Sequence, residues 1–134
     1  MIFVDTSAWY ALTDRRDPDH GRAQQLFAHL LDEQMPLLTH NYVVVESMSL
    51  IQNRLGLAAA RVLADEMRAF TIVWIDEEIH QEASLRWANG RRTLSFVDSV
   101  SFVVMRRQEI TTAFAFDSDF VAAGFSVLTA ALSP

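Results

Sequence analysis

Cysteine is absent from this sequence of 134 residues. The chain therefore has no disulfide bridge, no thiolate ligand for a metal and no cysteine nucleophile. Its apolar runs are far shorter than the roughly 20 residues that cross a bilayer as a helix. The N-terminus enters an apolar stretch with no basic segment before it. We therefore expect no signal peptide, no membrane association and a cytoplasmic location.

Lysine is absent as well, since all eleven basic residues are arginine. The run AFAFDSDF at 113–120 resembles the aspartyl-phosphate motif of haloacid-dehalogenase-type phosphatases. Those enzymes need a lysine, and so do response-regulator receivers, so both classes are excluded. The sequence also has no glycine-rich phosphate-binding loop. Its four histidines share no metal-ligand spacing, which excludes the common histidine metal motifs.

The charge balance is acidic, with 17 Asp and Glu residues and a formal net charge of −6. A negative net charge argues against broad electrostatic attachment to nucleic acid, although it does not exclude a local basic patch. Arginine is the residue best suited to bidentate phosphate contacts. Arg91 and Arg92, adjacent in a predicted loop, are the candidates for such contacts.

The order of apolar and polar segments is typical of one α/β domain that covers 1–134. The hydrophobic fraction of 51% is enough for a single core. Short β-branched and aromatic runs predict strands at 1–5, 37–39, 70–75, 111–116 and 126–130. Helical periodicity and end signals predict helices at 7–12, 18–34, 41–55, 57–69, 77–88, 95–108 and 118–123. Strands that alternate with helices indicate a mostly parallel sheet covered on both faces.

Four carboxylates stand in unusually apolar surroundings. Asp5 ends the first predicted strand, and Asp117 ends the strand TAFAF. Glu46 and Asp98 lie within apolar helical segments. Asp119 follows two residues after Asp117. Ligands of open α/β sheets bind beyond the carboxyl ends of the strands, which is where the first of these acids lie.

Carboxylates in apolar surroundings cost several kcal/mol each when they are ionised and unpaired. Each one taken alone is explained by a helix cap or an arginine partner. Taken together, the four acids favour a shared site for a hard cation. A ligand set of oxygen atoms alone suits Mg²⁺ or Mn²⁺.

Three segments carry a family resemblance: VDTSAWYAL at 4–12, FVDSVSFVVM at 96–105 and AFDSDFVAAGF at 115–125. With the helix of Glu46, they resemble the acidic motifs of PIN-domain ribonucleases, and more narrowly the VapC-type toxins of toxin–antitoxin pairs. The resemblance covers nearly the whole chain. It implies a three-layer α/β/α sandwich with a parallel sheet of four or five strands, and endonucleolytic cleavage of RNA by metal-activated water.

The resemblance also implies roles for individual residues. Asp5, Glu46, Asp98 and Asp117 would be the catalytic acids. Asp5, Asp98 and Asp117 would bind Mg²⁺ or Mn²⁺ directly, and Glu46 would be a further ligand or would orient the attacking water. The secondary candidates Thr6 and Ser7 would position the first acid or a metal-bound water. Asp119 is also a secondary candidate, because only some members of the family keep an acid at that place.

Expected partners follow from the same resemblance. They are an RNA substrate, which Arg91 and Arg92 would contact, a cognate antitoxin protein and a second copy of the chain in a homodimer. Trp9, Tyr10 and Phe27 could offer apolar surface to the antitoxin, or fill the core instead. Two alternatives stay open: a housekeeping RNA-processing PIN nuclease, and a non-catalytic PIN-like scaffold that binds RNA or protein.

Overall fold

The computed structural model describes residues 1–128, and in that part of the chain five parallel strands form one sheet. The strands are β1 (Ile2–Val4), β2 (Leu37–His40), β3 (Thr71–Val73), β4 (Thr112–Phe114) and β5 (Ser126–Val127). Their order across the sheet is β3-β2-β1-β4-β5. The predicted parallel sheet is confirmed, with five strands. The end of the last predicted strand, 129–130, lies outside the described residues.

Seven helices connect the strands within the described residues. They are α1 (Thr6–Thr13), α2 (His20–Asp32), α3 (Asn41–Leu55), α4 (Leu57–Met67), α5 (Glu77–Ala88), α6 (Phe96–Arg107) and α7 (Asp119–Ala122). Among the first four helices, α1 packs against α2 and α3, and α3 packs against α4, whereas α5 packs on α6. Right-handed crossovers place the first group on one face of the sheet and the second on the other. The expected three-layer α/β/α sandwich is confirmed.

The central strand β1 carries the core. Its three residues are buried, as expected for a parallel strand that is covered on both faces. Phe3 lies opposite Leu38 of β2 on one side and Ala113 of β4 on the other. The ring of Phe3 also stacks against those of His40 and Phe120. The apolar run at the start of the sequence therefore forms the middle of the molecule.

The strand order reverses beside β1, and this position determines where ligands can bind. Strands β1, β2 and β3 run outward in one direction, whereas β4 and β5 add on the other side of β1. The crevice between β1 and β4 at their carboxyl ends is a topological switch point, the usual ligand site of such sheets. Asp5 directly follows β1, and Asp117 lies three residues after β4.

Asn41, at the start of the predicted helix 41–55, and Asp17, just before the predicted helix 18–34, are residue types that commonly cap helices, but neither side chain caps one in the structure. Helix α3 is capped by His40, whose imidazole accepts a hydrogen bond from the Val43 N–H, whereas the Asn41 side chain accepts one from the Ile75 N–H. Helix α2 begins at His20 rather than at Pro18. The Asp17 carboxylate accepts the Asp19 N–H in a turn that precedes the helix.

Of the three aromatic residues proposed as surface for the antitoxin, Trp9 does not fit that role. Its side chain is only 1% exposed and packs edge-on against Phe70. Tyr10 and Phe27 are half-buried against the same core. Trp9 is therefore a core residue, and any apolar docking surface must be formed by other side chains.

Candidate active site

Asp5 is a buried carboxylate held by the first turn of α1. It is 3% exposed, and its Oδ2 accepts hydrogen bonds from the Ser7 N–H at 3.1 Å and from the Ser7 hydroxyl at 2.7 Å. Burial raises the pKa of Asp5 to about 6, with a smaller contribution from the charge of Asp117, although the Ser7 bonds act in the opposite direction. The Asp5 side chain thus caps α1 and also belongs to the acidic region.

Ser7 joins the two strands that border the crevice. While its hydroxyl donates to Asp5, its oxygen accepts a 2.9 Å hydrogen bond from the Phe116 N–H, beyond the end of β4. Thr6 is 7% exposed, and its hydroxyl has no hydrogen-bond partner among the described residues. Ser7 therefore positions the first acid, while Thr6 leaves a buried polar atom beside it unsatisfied.

Asp98 lies in the first turn of α6, which Ser95 caps by accepting the Asp98 N–H at 3.0 Å. The residue is 8% exposed. Burial raises the pKa of Asp98 to about 8, and the nearby charges of Asp5, Asp117 and Glu46 add to this effect. Like charges at short range favour the protonated form of a carboxyl group. The chain therefore concentrates negative charge around a buried acid.

Asp117 and Asp119 complete a compact group with Asp98. The Asp117 Oδ1 accepts the Asp119 N–H at 2.9 Å, which turns the chain so that both carboxylates face the same region. One carboxylate oxygen of each of Asp98, Asp117 and Asp119 lies within 4.8 Å of the others. Burial and the charge of Asp117 raise the pKa of Asp119, while Arg91 opposes them.

Each predicted site residue can now be placed. Asp98, Asp117 and Asp119 form the closest group, and Asp119, a secondary candidate from sequence, belongs to it. Asp5 interacts with Asp98 and Asp117 through their charges rather than as a member of that group. Glu46, half-buried on α3, acts on Asp98 in the same way. The acids therefore lie around one region, where Asp98, Asp117 and Asp119 form a close group and Asp5 and Glu46 act on it through their charges.

The negative charge of this acidic group is better balanced by a bound cation than by arginine partners. The ion pairs formed by Arg68, Arg86 and Arg107 use acids of other regions. Opposite oxygen ligands of Mg²⁺ at about 2.1 Å lie about 4 Å apart. The 4.8 Å spread of the Asp98, Asp117 and Asp119 oxygens exceeds that distance only slightly, so small side-chain rotations would allow all three to bind one ion.

The acidic group adjoins a cavity that the sequence did not predict. A cavity of about 190 Å³ adjoins Asp119 and is lined by Arg86, Arg91 and Arg106. Only Arg91 was a candidate from sequence. Ser99, Phe102 and Arg106 recur at helical spacing along α6, and this spacing places them on one face. The helical spacing predicts that these three residues share a face of α6. It does not predict that α5 and α7 close over this face to form a cavity.

The parallel sheet with reversed strand order and the acids at its carboxyl edge define the PIN-domain class of protein. Residues 2–126 match the sequence model of the PIN domain. The chain belongs to this family.

Among characterised relatives, the chain is similar to the 23S rRNA-specific endonuclease VapC20 of two Mycobacterium tuberculosis strains, CDC 1551 / Oshkosh and ATCC 25618 / H37Rv. Each comparison gives 41% identity over 129 residues, or 93% of this chain and 95% of the relative. The resemblance to VapC-type toxins is therefore confirmed.

Two solved structures agree with the fold. The crystal structure of M. tuberculosis VapC20, described as a Sarcin-Ricin loop cleaving toxin, aligns with a TM-score of 0.86 at 36% identity, covering 93% of this chain and 96% of that one. The structure of PAE2754 from Pyrobaculum aerophilum aligns with a TM-score of 0.63 at 20% identity, covering 98% and 91%, and supports the fold alone. None of the helices between residues 1 and 128 has the length and hydropathy of a membrane span.

Proposed function

We propose that this chain is the toxin of a toxin–antitoxin pair and a Mg²⁺- or Mn²⁺-dependent endoribonuclease. The observation that carries the proposal is Asp98, a buried acid that has no arginine partner within the described residues and is surrounded by other carboxylates. Such an arrangement is unfavourable in an ordinary structural role. It becomes favourable when a divalent cation neutralises the group.

In this proposal Asp98, Asp117 and Asp5 bind the ion, and Asp119 is a further ligand on the same side. Glu46 orients the attacking water from α3. A bound divalent ion lowers the pKa of a water ligand and neutralises the phosphodiester. Carboxylate ligands must be deprotonated to bind a metal. Asp98 therefore releases its proton when the site is loaded, because its pKa of about 8 otherwise keeps the proton in place near neutral pH.

The substrate class follows from the relatives. Because VapC20 is named for cleavage of 23S rRNA, a structured ribosomal RNA is the first substrate to test. Arg91 and Arg92 are both exposed in the loop before α6 and would contact phosphates beside the acids. Attack of water on the phosphorus would form a new P–O bond and break the P–O3′ bond, so that one product would carry a 5′-phosphate and the other a 3′-hydroxyl group.

The partners proposed are a cognate antitoxin and a second copy of the chain. The net charge of −6 suits an inhibitor with a basic segment that crosses the acidic crevice. Co-expression with the adjacent reading frame should yield a complex in which RNA cleavage is suppressed. A housekeeping nuclease would give no such complex. Sedimentation of the purified chain at micromolar concentration should show a dimer, and a monomer would contradict that part of the proposal.

The decisive experiment compares cleavage of purified 23S rRNA by the wild type and Asp98→Asn. We expect discrete fragments with Mg²⁺ or Mn²⁺, none in EDTA, and a loss of at least 100-fold in the variant. The matched control is Asp32→Asn, which removes one exposed acid at the end of α2. Wild-type protein that binds the RNA without cutting it in either metal would favour the non-catalytic scaffold.

A further inference from the structure

The cavity beside Asp119 combines two kinds of surface. Its lining includes three arginines, Arg86, Arg91 and Arg106, which form its basic rim, together with the polar residues Asp119 and Ser99. The apolar part of the wall is formed by Leu94, Phe102, Ala122 and Ala123. Cations above an apolar floor suit a ligand that is anionic at one end and flat and apolar at the other. A nucleotide has this combination of a phosphate and a base.

The positive charge of the rim is only partly neutralised. Glu82 is the acid nearest to Arg86, at 3.4 Å, but it also binds Arg107 at the shorter distance of 3.0 Å. Arg106 packs over the ring of Phe125, and its NH2 group donates weakly to the Ala123 carbonyl at 3.4 Å. Burial and the charge of Arg86 lower the pKa of Arg106. An anion between these guanidinium groups would relieve their repulsion.

The size and place of the cavity restrict the ligand further. Pockets for drug-sized ligands occupy about 300–1,000 Å³, so a volume of about 190 Å³ suits a single small group. Arg106 lies eight residues after Asp98 on the same helix, which corresponds to about 12 Å along the axis at about 1.5 Å per residue. Arg106 is therefore distant from Asp98, whereas Asp119 both lines the cavity and belongs to the acidic group.

We propose that this cavity binds one unpaired nucleotide of the RNA next to the cleaved bond, with its base on the apolar floor and its phosphate on the arginines. The substrate role rests on the proposed nuclease function. Protein sites that recognise single-stranded RNA commonly stack an extruded base on an aromatic ring or a guanidinium plane. The cavity lining offers one aromatic ring, that of Phe102, and the guanidinium groups of Arg86 and Arg91 as candidate surfaces for such stacking. The cavity would thus select RNA whose cleavage site lies in a loop.

The binding test needs no cleavage. Amide chemical shifts are recorded for the ¹⁵N-labelled protein in EDTA during titration with each nucleoside 5′-monophosphate, and separately with inorganic phosphate. We expect saturable shifts at Gly90, Leu94, Ala122 and Ala123, with at least one nucleotide binding tenfold more tightly than phosphate. Equal affinity for nucleotide and phosphate, or no shift at these amides, would overturn the proposal. Tighter binding of hexaglutamate than of any nucleotide would instead assign the cavity to an acidic peptide.

Variants separate the cavity from general charge effects. Arg91→Ala and Arg86→Ala should each weaken nucleotide binding about tenfold. Ala122→Phe should abolish binding by filling the cavity without removing a charge, and since Ala122 is exposed the fold should be retained, as a thermal melt checks. The control is Arg61→Ala, an exposed arginine on α4 that does not line the cavity. If Arg61→Ala weakens binding as much, the proposal fails.

Cleavage kinetics then distinguish this proposal from the proposed function. With a wild type that cuts RNA, Ala122→Phe should raise KM at least fivefold on a loop substrate and leave kcat within about twofold. An unchanged KM would overturn the cavity assignment while the nuclease function stands. A wild type that binds nucleotides at these amides but cuts no RNA would refute the nuclease function and leave the cavity as a nucleotide site.

Discussion

The Ser7 hydroxyl connects the ends of two neighbouring strands, because its oxygen accepts the Phe116 N–H at 2.9 Å while its proton is donated to Asp5 at 2.7 Å. One small side chain thus fixes the spacing between β1 and the chain beyond β4, and orients a buried carboxylate between them. An alanine side chain can supply neither bond.

Replacing Ser7 by alanine should lower the free energy of unfolding by about 1–3 kcal/mol, the usual cost of leaving buried hydrogen-bonding groups unsatisfied. It should also raise the pKa of Asp5 further above its usual range, because the Ser7 hydrogen bonds lower it. Urea unfolding in EDTA measures the first effect, and the pH dependence of Mg²⁺ binding measures the second. Ser49→Ala, an exposed serine on α3, is the control. Equal stabilities of the two variants would contradict the bridging role.

Asp98→Asn should melt at a higher temperature than the wild type in metal-free buffer. The substitution removes a charge that burial and the neighbouring acids disfavour. Mg²⁺ should raise the melting temperature of the wild type by mass action and that of the variant much less. The measurement is a thermal melt of both proteins at pH 8, with and without Mg²⁺. A variant that is less stable than the wild type in EDTA, with no response to Mg²⁺ in either protein, would indicate an ordinary paired acid.

His40 should make the fold sensitive to acid. The side chain is fully buried, its Nδ1 accepts the Val43 N–H, and its Nε2 lies 2.8 Å from the Ser101 hydroxyl, which donates to Val97. Burial lowers the pKa of His40 to about 3 from the ordinary value of 6.5. The unfolded chain therefore binds more protons than the native chain between these values, so this contribution to stability is lost as the pH falls from 6.5 towards 3.

The test compares how the free energy of unfolding changes with pH rather than its value at one pH, because His40→Gln also alters packing. Urea unfolding at pH 7 and pH 4.5 should show that His40→Gln becomes more stable relative to the wild type as the pH falls, because it lacks the unfavourable contribution of His40, whereas His29→Gln, at an exposed histidine, should behave as the wild type does. The raised pKa values of Asp5 and Asp98 act oppositely, because the native state then holds the extra protons. Parallel slopes in all three proteins would contradict the assignment to His40.

Arg91→Ala combined with Arg92→Ala should weaken RNA binding and reduce its dependence on salt. Removing one arginine–phosphate interaction should make the slope of log K against log salt shallower by about 0.7–0.9. Binding is measured with Asp98→Asn protein, so that no RNA is cut, between about 50 and 200 mM salt. Arg15→Ala combined with Arg16→Ala removes the same charge from another part of the surface. An unchanged slope for the Arg91 and Arg92 variant would place both residues in a loop that RNA does not touch.

The sequence predicted the fold and the edge that carries the acids, because both depend on local patterns. The short apolar runs that end at Asp5 and near Asp117 predict parallel strands with acids at their ends. The sequence could not rank the acids, since the approach of Asp119 to Asp98 depends on the turn that the Asp117 side chain makes with the Asp119 N–H.

Other features were not predicted because they also depend on contacts between segments that are distant in the sequence. His40 and Asn41 can both cap a helix, and the choice follows from the hydrogen bond that occupies Asn41 with Ile75, which belongs to a segment 34 residues away. The cavity beside Asp119 arises only where α5, α6 and α7 meet, so the separate positions of Arg86 and Arg106 give no sign of it.

The central place of β1 also bears on the timing of synthesis. The strand is made before its neighbour β4, and the hydrogen bond that joins their ends links residues 109 positions apart. At about 5–20 residues per second, the ribosome needs roughly 5–20 s to make that length of chain. A nascent chain that lacks β4 has neither Asp117 nor the crevice. The acidic group of Asp98, Asp117 and Asp119 therefore cannot assemble during synthesis until β4 and the turn that follows it have been made.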